Sequence, residues 1–180
     1  MTLVVLLGGA RSGKSRLAVD LGRRWGGEVT LVATAEPRDA DMAQRIARHR
    51  RDRPADWGLV EEPRALADIE ALDPARRGLV IVDCLPLWVS NQLELGDTED
   101  EILERCVALA ELARRRVGRV VAVTNEVGLG VVPATVLGRM FRDLLGRVNQ
   151  TFVAESEAAL LLVAGRLLRL EPVDLDELLP

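Results

Sequence analysis

The 180-residue chain has no tyrosine, two phenylalanines and three tryptophans, so its core has to be aliphatic. The same shortage leaves few rings on which bases could stack, which speaks against recognition of single-stranded nucleic acid. Its net charge of −4 likewise opposes broad binding to a phosphate backbone. Cysteine occurs only at 84 and 106, in no C-x-x-C pair, and one histidine is present, so a structural zinc site is not expected. Two isolated thiols fit a reducing cytosol. No apolar run approaches the ~18–20 residues that a spanning helix needs, and the apolar start lacks the charge and length of a secretory leader. A cytoplasmic protein with no membrane association is expected. Lysine is scarcer still: of 24 basic residues only Lys14 is lysine and the other 23 are arginine. An ammonium retained at one place suggests a role that a guanidinium cannot fill.

What is present is an alternation of short apolar runs with helical patterns. Residues 3–7 form a continuous apolar run closed by Gly8-Gly9, the pattern of a strand buried on both faces. Residues 29–33, 79–82, 119–124 and 159–164 read as further strands, with 167–170 a candidate sixth. Helices are expected at 14–25, 39–51, 64–72, 99–116 and 134–157, the first closed by Gly26-Gly27. Strands this uniformly apolar imply a single-domain α/β fold over residues 1–170, with a mostly parallel sheet and helices on both faces. Residues 171–180 carry four acidic and no basic side chains and read as a solvated acidic tail.

Gly8-Gly9-Ala10-Arg11-Ser12-Gly13-Lys14-Ser15 matches G-x-x-x-x-G-K-S between the first strand and the first helix, the context the motif requires. Such a loop curls backbone N–H groups around phosphate oxygens, its lysine reaches the β and γ phosphates, and its serine ligates Mg²⁺. The fold expectation narrows to a P-loop NTPase of RecA-like type. Asp83 directly follows the strand at 79–82, where a carboxylate could serve Mg²⁺ or simply end a strand. An N-K-x-D guanine-reading motif would need a second lysine and is absent, which disfavours a Ras-like GTPase.

Five arginines and His49 crowd into residues 45–53. On a helix Met42, Ile46 and His49 share a face, so the histidine reads as a half-buried packing residue. Clustered arginine is equally a way to grip a polyphosphate. The segment alone leaves both readings open.

Taken together, the segments resemble one family. They are the phosphate loop, V-A-T-A at 32–35, R-I-x-x-H-x-x-x-R-P-x-x-W at 45–57 with E-E-P at 61–63, V-D-C-L-x-L-W-V-S-N at 82–91, T-N-E-V-G-L-G-V-V-P at 124–133 and F-R-D-L-L-G-R-V-N-Q at 141–150. This ordered set, over about residues 3–170, is similar to the bifunctional adenosylcobinamide kinase / adenosylcobinamide-phosphate guanylyltransferases of cobalamin biosynthesis. The resemblance implies two reactions: phosphorylation of adenosylcobinamide by ATP or GTP, then transfer of GMP from GTP to that phosphate through a guanylylated histidine. By motif position that histidine is His49. It implies nucleotide contacts on Gly8, Gly9, Ala10, Arg11, Ser12, Gly13, Lys14 and Ser15, on Ala33, Thr34 and Ala35, on Arg50, Arg51, Asp52 and Arg53, on Glu61 or Glu62, and on Asp83. Mg²⁺ with ATP or GTP, held at Ser15 and Asp83, is the implied cofactor, with no redox group. The implied partners are nucleotides, a corrinoid substrate and further copies of the chain, as a homotrimer.

The chemistry is sensible in itself. A histidine with a reference pKa of about 6.5 is mostly neutral at pH 7, and neighbouring arginines favour that nucleophilic form, while a helix C-terminus pulls the other way. A phosphoramidate intermediate splits one displacement between two anions into two steps. Glu126 is a candidate carboxylate for the kinase step, with a structural role at the strand end as its alternative; residues 138–149 either touch substrate or pack a helix. Residues 127–137 read as a subunit contact or a buried loop. Pro86 departs from the family's usual hydroxyl residue, which puts local loop shape in doubt. The competing functions are a small-molecule kinase lacking guanylyl transfer and a regulatory RecA-like nucleotide-binding module, both of which leave the His49 segment unexplained.

Overall fold

The computed structural model describes residues 2–174 and 176, without the side chains of Arg45 and Asp52. Of the acidic tail expected at 171–180, only 171–174 and 176 fall among the described residues. Seven strands form one sheet: β1 (Leu3–Gly8), β2 (Val29–Ala33), β3 (Gly58–Glu61), β4 (Leu79–Asp83), β5 (Val120–Val123), β6 (Ala158–Val163) and β7 (Arg166–Leu170). Their order is β3-β2-β4-β5-β1-β6-β7. The first six pair in parallel, and β7 returns antiparallel on β6. That reversal follows from a two-residue turn at Ala164-Gly165, both at positive φ, which is too short for any parallel crossover.

The helices are α1 (Lys14–Arg24), α2 (Ala40–Asp52), α3 (Leu85–Leu95), α4 (Glu99–Arg115) and α5 (Val136–Ala154). Alternate strand residues divide the apolar core between two faces of the sheet, as a period of two requires. Leu3, Val5 and Leu7 join Val80, Val82, Val120 and Ala122 beneath α3, α4 and α5. Val4 and Leu6 join Ile81, Val121 and Val123 beneath α1 and the Trp57 ring. Sequence chemistry fixes the helix starts. Thr98 and Glu101 form a reciprocal capping box on α4, Asp39 accepts from Met42 N–H at 2.7 Å at α2, and Thr135 accepts from Gly138 N–H at 3.1 Å at α5.

The sequence expectations need three corrections. The helix expected at 64–72 is two short 3₁₀ turns, Leu66–Asp68 and Glu70–Leu72. On one α-helix these two leucines would lie about 120° apart. Both are buried in the same core, so the chain breaks at the extended Ile69 to bring them to one side. The last long helix spans 136–154 rather than 134–157. Strand β3 and helix α3 are additional. Pro86 stands in the first turn of α3, where the missing N–H costs nothing.

Candidate active site

The phosphate loop, His49 and Asp83 gather outside the carboxyl ends of the central strands, where open parallel sheets place their ligand crevices. The loop after β1 is tightly built. Gly8 has φ +149°, and a Cβ there would come within 2.4 Å of the Leu162 carbonyl oxygen on β6, so only glycine fits. Gly13, at φ +108°, turns the chain into α1. The Lys14 ammonium donates to the carbonyls of Gly8 at 2.7 Å and Gly9 at 2.8 Å, and it is 6% exposed. Burial pushes its pKa below the usual lysine value, against the opposing charges of Cys84 and Asp83. A cation held dry among carbonyls is ready to receive phosphate.

A cleft of about 970 Å³ opens between this loop and α2, a volume suited to a nucleoside triphosphate. The face of α2 carrying Met42, Ile46 and His49 lines it, so this is the cleft face and not a packing face. His49 Nδ1 lies 3.4 Å from Asp83 Oδ2, and the other oxygen, Oδ1, lies 3.5 Å from Ser15 Oγ. Asp83 therefore stands between the phosphate loop and the only histidine. Arg48, Arg50, Arg51 and Arg53 line the same cleft, with Arg50 paired to Glu61. Two Arg53 guanidinium nitrogens, Nε and Nη1, are buried with no hydrogen-bond partner, an arrangement that an anion in the cleft would complete.

Other expected contacts are placed differently. Ala10 to Ser15, Ala33, Ala35, Glu61 and Asp83 line the cleft, whereas Thr34 does not. Thr34 is fully buried; its hydroxyl donates to the Cys84 carbonyl at 2.7 Å and accepts from Cys84 N–H at 2.9 Å, tying β2 to β4. Glu62 accepts from the N–H groups of Arg64 and Ala65, so of the two glutamates Glu61 is the one in the cleft. Gly8 and Gly9 contribute carbonyls to Lys14. Asp52 ends α2, and its side chain lies outside the described ones. Glu126 turns back to accept from Gly128 N–H and is not part of the cleft lining. Asn149, from the segment 138–149, is buried: it accepts from the Thr124 hydroxyl at 2.6 Å and donates to the Asn125 carbonyl at 2.9 Å.

Sequence reasoning missed the frame that holds α2. Before the helix, Arg38 pairs with Glu36 and Glu94 and donates to Asn91 Oδ1 at 2.8 Å. Asn91 in turn donates to the carbonyls of Thr34 and Pro63. After the helix, the Trp57 ring lies against Gly22 of α1, where a Cβ would come within 2.2 Å of it. Cys84 and Asn125 also line the cleft. Among the described residues no cluster of three or more His, Cys, Asp or Glu could hold a metal by itself, and no helix is long and apolar enough to cross a membrane.

Known proteins resemble this chain over most of its length. The chain is 43% identical over 161 residues to the Bifunctional adenosylcobalamin biosynthesis protein CobP of Pseudomonas aeruginosa, covering 89% of this chain and 92% of that one. It is 36% identical to the Bifunctional adenosylcobalamin biosynthesis protein CobU of Escherichia coli and 37% identical to that of Salmonella typhimurium, in each case over 175 residues, 91% of this chain and 96% of the relative. Residues 4–170, spanning the phosphate loop, His49 and Asp83, match one family over nearly the whole sheet. The chain belongs to the cobinamide kinase / cobinamide phosphate guanyltransferase family of P-loop transferases.

Proposed function

We propose that one cleft performs two successive transfers. The γ-phosphoryl of ATP or GTP passes to the aminopropanol hydroxyl of adenosylcobinamide, and GMP from GTP then passes through His49 to the resulting phosphate, giving adenosylcobinamide-GDP. The observation that carries this reading is the juxtaposition of the only histidine, His49, with a phosphate loop across a single carboxylate, Asp83. Lys14 and the loop N–H groups hold the β and γ phosphates, and Arg53, with its two unpartnered nitrogens, takes charge from the leaving pyrophosphate. Glu61, a carboxylate at the cleft wall, suits the N–H donors of a guanine edge. Ser15 and Asp83 offer the hard oxygen donors that Mg²⁺ prefers, with phosphate oxygens and water completing its shell. Bound there, the ion supplies neutralisation of charge on the transferring phosphates. Cys84 and Cys106 are not joined in a disulfide, which fits a cytoplasmic setting.

Incubating the protein with Mg²⁺ and GTP is expected to add the mass of one GMP, in an acid-labile bond. His49→Asn should abolish that adduct while ATP-dependent phosphorylation of cobinamide persists. An adduct retained by His49→Asn, or none on the wild type although GTP binds, would leave a kinase without guanylyl transfer as the better account. The family resemblance implies a homotrimer, and the exposed side chains of Leu129, Val131 and Val132 offer a surface for a subunit contact.

A further inference from the structure

We propose that Asp83 sets the tautomer of His49, holding the proton on Nδ1 so that GMP is carried on Nε2. This rests on the guanylyl-transfer reading above, which leaves the reacting nitrogen undefined. The two oxygens of Asp83 face different partners: Oδ1 lies 3.5 Å from the Ser15 hydroxyl and Oδ2 lies 3.4 Å from His49 Nδ1. One carboxylate thus serves the metal side of the loop with one oxygen and the histidine with the other. Asp83 is 15% exposed, so its effect on the ring is only partly screened by water. A carboxylate beside one ring nitrogen accepts a proton from it and leaves the opposite nitrogen with its lone pair available. Turned this way, Nε2 is the nitrogen aimed away from Asp83.

The step balances. The Nε2 lone pair attacks the α-phosphorus of GTP, an N–P bond forms, and the bond from that phosphorus to the bridging oxygen breaks, releasing pyrophosphate with the bonding pair. Nδ1 keeps its proton, so the ring becomes positive, and the Asp83 carboxylate faces the charge that develops. When a phosphate oxygen of the corrinoid attacks the same phosphorus, the N–P bond breaks, the pair returns to Nε2 and the neutral ring is restored. Asp83 is a positioning residue here: it acts through His49.

The chain's single histidine makes the test direct. With ¹⁵N-histidine incorporated, the spectrum contains one ring. The wild type, at a pH where the ring is neutral, is expected to show the proton on Nδ1, the reverse of the tautomer that an unassisted histidine favours. Asp83→Asn should move it toward Nε2, whereas Ser15→Ala, which alters only the metal side, should leave it on Nδ1. In the guanylylated protein the one-bond ³¹P–¹⁵N coupling is expected on Nε2. As a kinetic readout, the ratio of guanylyl transfer to kinase activity should fall at least ~10-fold further in Asp83→Asn than in Ser15→Ala. A proton on Nε2 in the wild type, a tautomer indifferent to Asp83→Asn, or coupling to Nδ1 would each overturn the proposal. If no adduct forms, guanylyl transfer itself fails, and the tautomer measurement still decides what Asp83 does to His49.

Discussion

Lys14 is the only lysine, and its surroundings explain why arginine does not replace it. Two carbonyl oxygens 2.7 and 2.8 Å from Nζ converge on one compact ammonium in a loop pinned by Gly8 against β6. A planar guanidinium is too broad for that point. Because burial lowers the Lys14 pKa, its protonated form costs folding free energy below the folded pKa, and that cost is relieved as pH rises toward the unfolded value. Lys14→Met is therefore expected to lower both transfer rates by ~10²–10³-fold or more while its urea midpoint at pH 7 equals or exceeds that of the wild type. The difference in midpoint should shrink as pH rises through the Lys14 titration, because the wild type then sheds its buried charge. A variant less stable than the wild type at pH 7 would contradict this. At this scale the phosphate loop, His49 and Asp83 were legible in the sequence, because each is a chemically distinctive side chain at a strand end or in a defined motif. Thr34, Asn91 and Glu62 were not: a hydroxyl, an amide or a carboxylate in a shared motif can touch substrate or brace the backbone. Here Thr34 braces Cys84, Asn91 braces Thr34 and Pro63, and Glu62 closes a turn.

Among the elements, the segment after β5 and helix α5 are joined by one buried amide. Asn149 accepts from the fully buried Thr124 hydroxyl and donates to the Asn125 carbonyl, so two separate sequence motifs meet as a single brace. Asn149→Ala leaves that hydroxyl without an acceptor and should cost ~1–3 kcal/mol in urea unfolding. GMP adduct formation, measured at a temperature where the variant is folded, should survive, since Asn149 is not in the cleft; loss of the adduct from a folded variant would instead make this a site residue. Strands β1, β4 and β5 were legible because each is a continuous apolar run buried on both faces. Helix α3 was not, since it is itself buried on most sides and shows no amphipathic contrast. Strand β3, four mostly exposed residues at the sheet edge, carries too little pattern to be read. The 64–72 helix failed for the opposite reason, a local helical composition overruled by the need to bury Leu66 and Leu72 together. The approach of α2 to Asp83 joins residues 34 positions apart and follows from strand order, which no local signal encodes.

For the whole molecule, the distribution of apolar surface bears on assembly. Leu129 is 85% exposed and Val131 95% exposed, and Val132, Val136 and Leu137 are exposed beside them, on the segment that leaves β5 next to the phosphate loop. The loop is therefore not a buried one, and apolar side chains this exposed are suited to a subunit contact. A second exposed set, Leu167, Leu168 and Leu170, lies on β7 at the sheet edge, where no further strand pairs among the described residues. The first set adjoins the cleft, because Glu126 N–H donates to the Gly8 carbonyl at 3.2 Å, so a subunit contact there would also set the shape of the site. Light scattering on a sizing column is expected to give three times the 19.7 kDa chain mass. The double substitution Leu129→Asp and Val131→Asp should shift this to the single-chain mass, with a loss of transfer activity in proportion to dissociation. A wild type already at the single-chain mass would remove the assembly argument. A double variant that stays trimeric while Leu167→Asp with Leu168→Asp dissociates would move the contact to the β7 edge, and the exposed loop beside the phosphate site would then be free to serve the apolar body of the corrinoid.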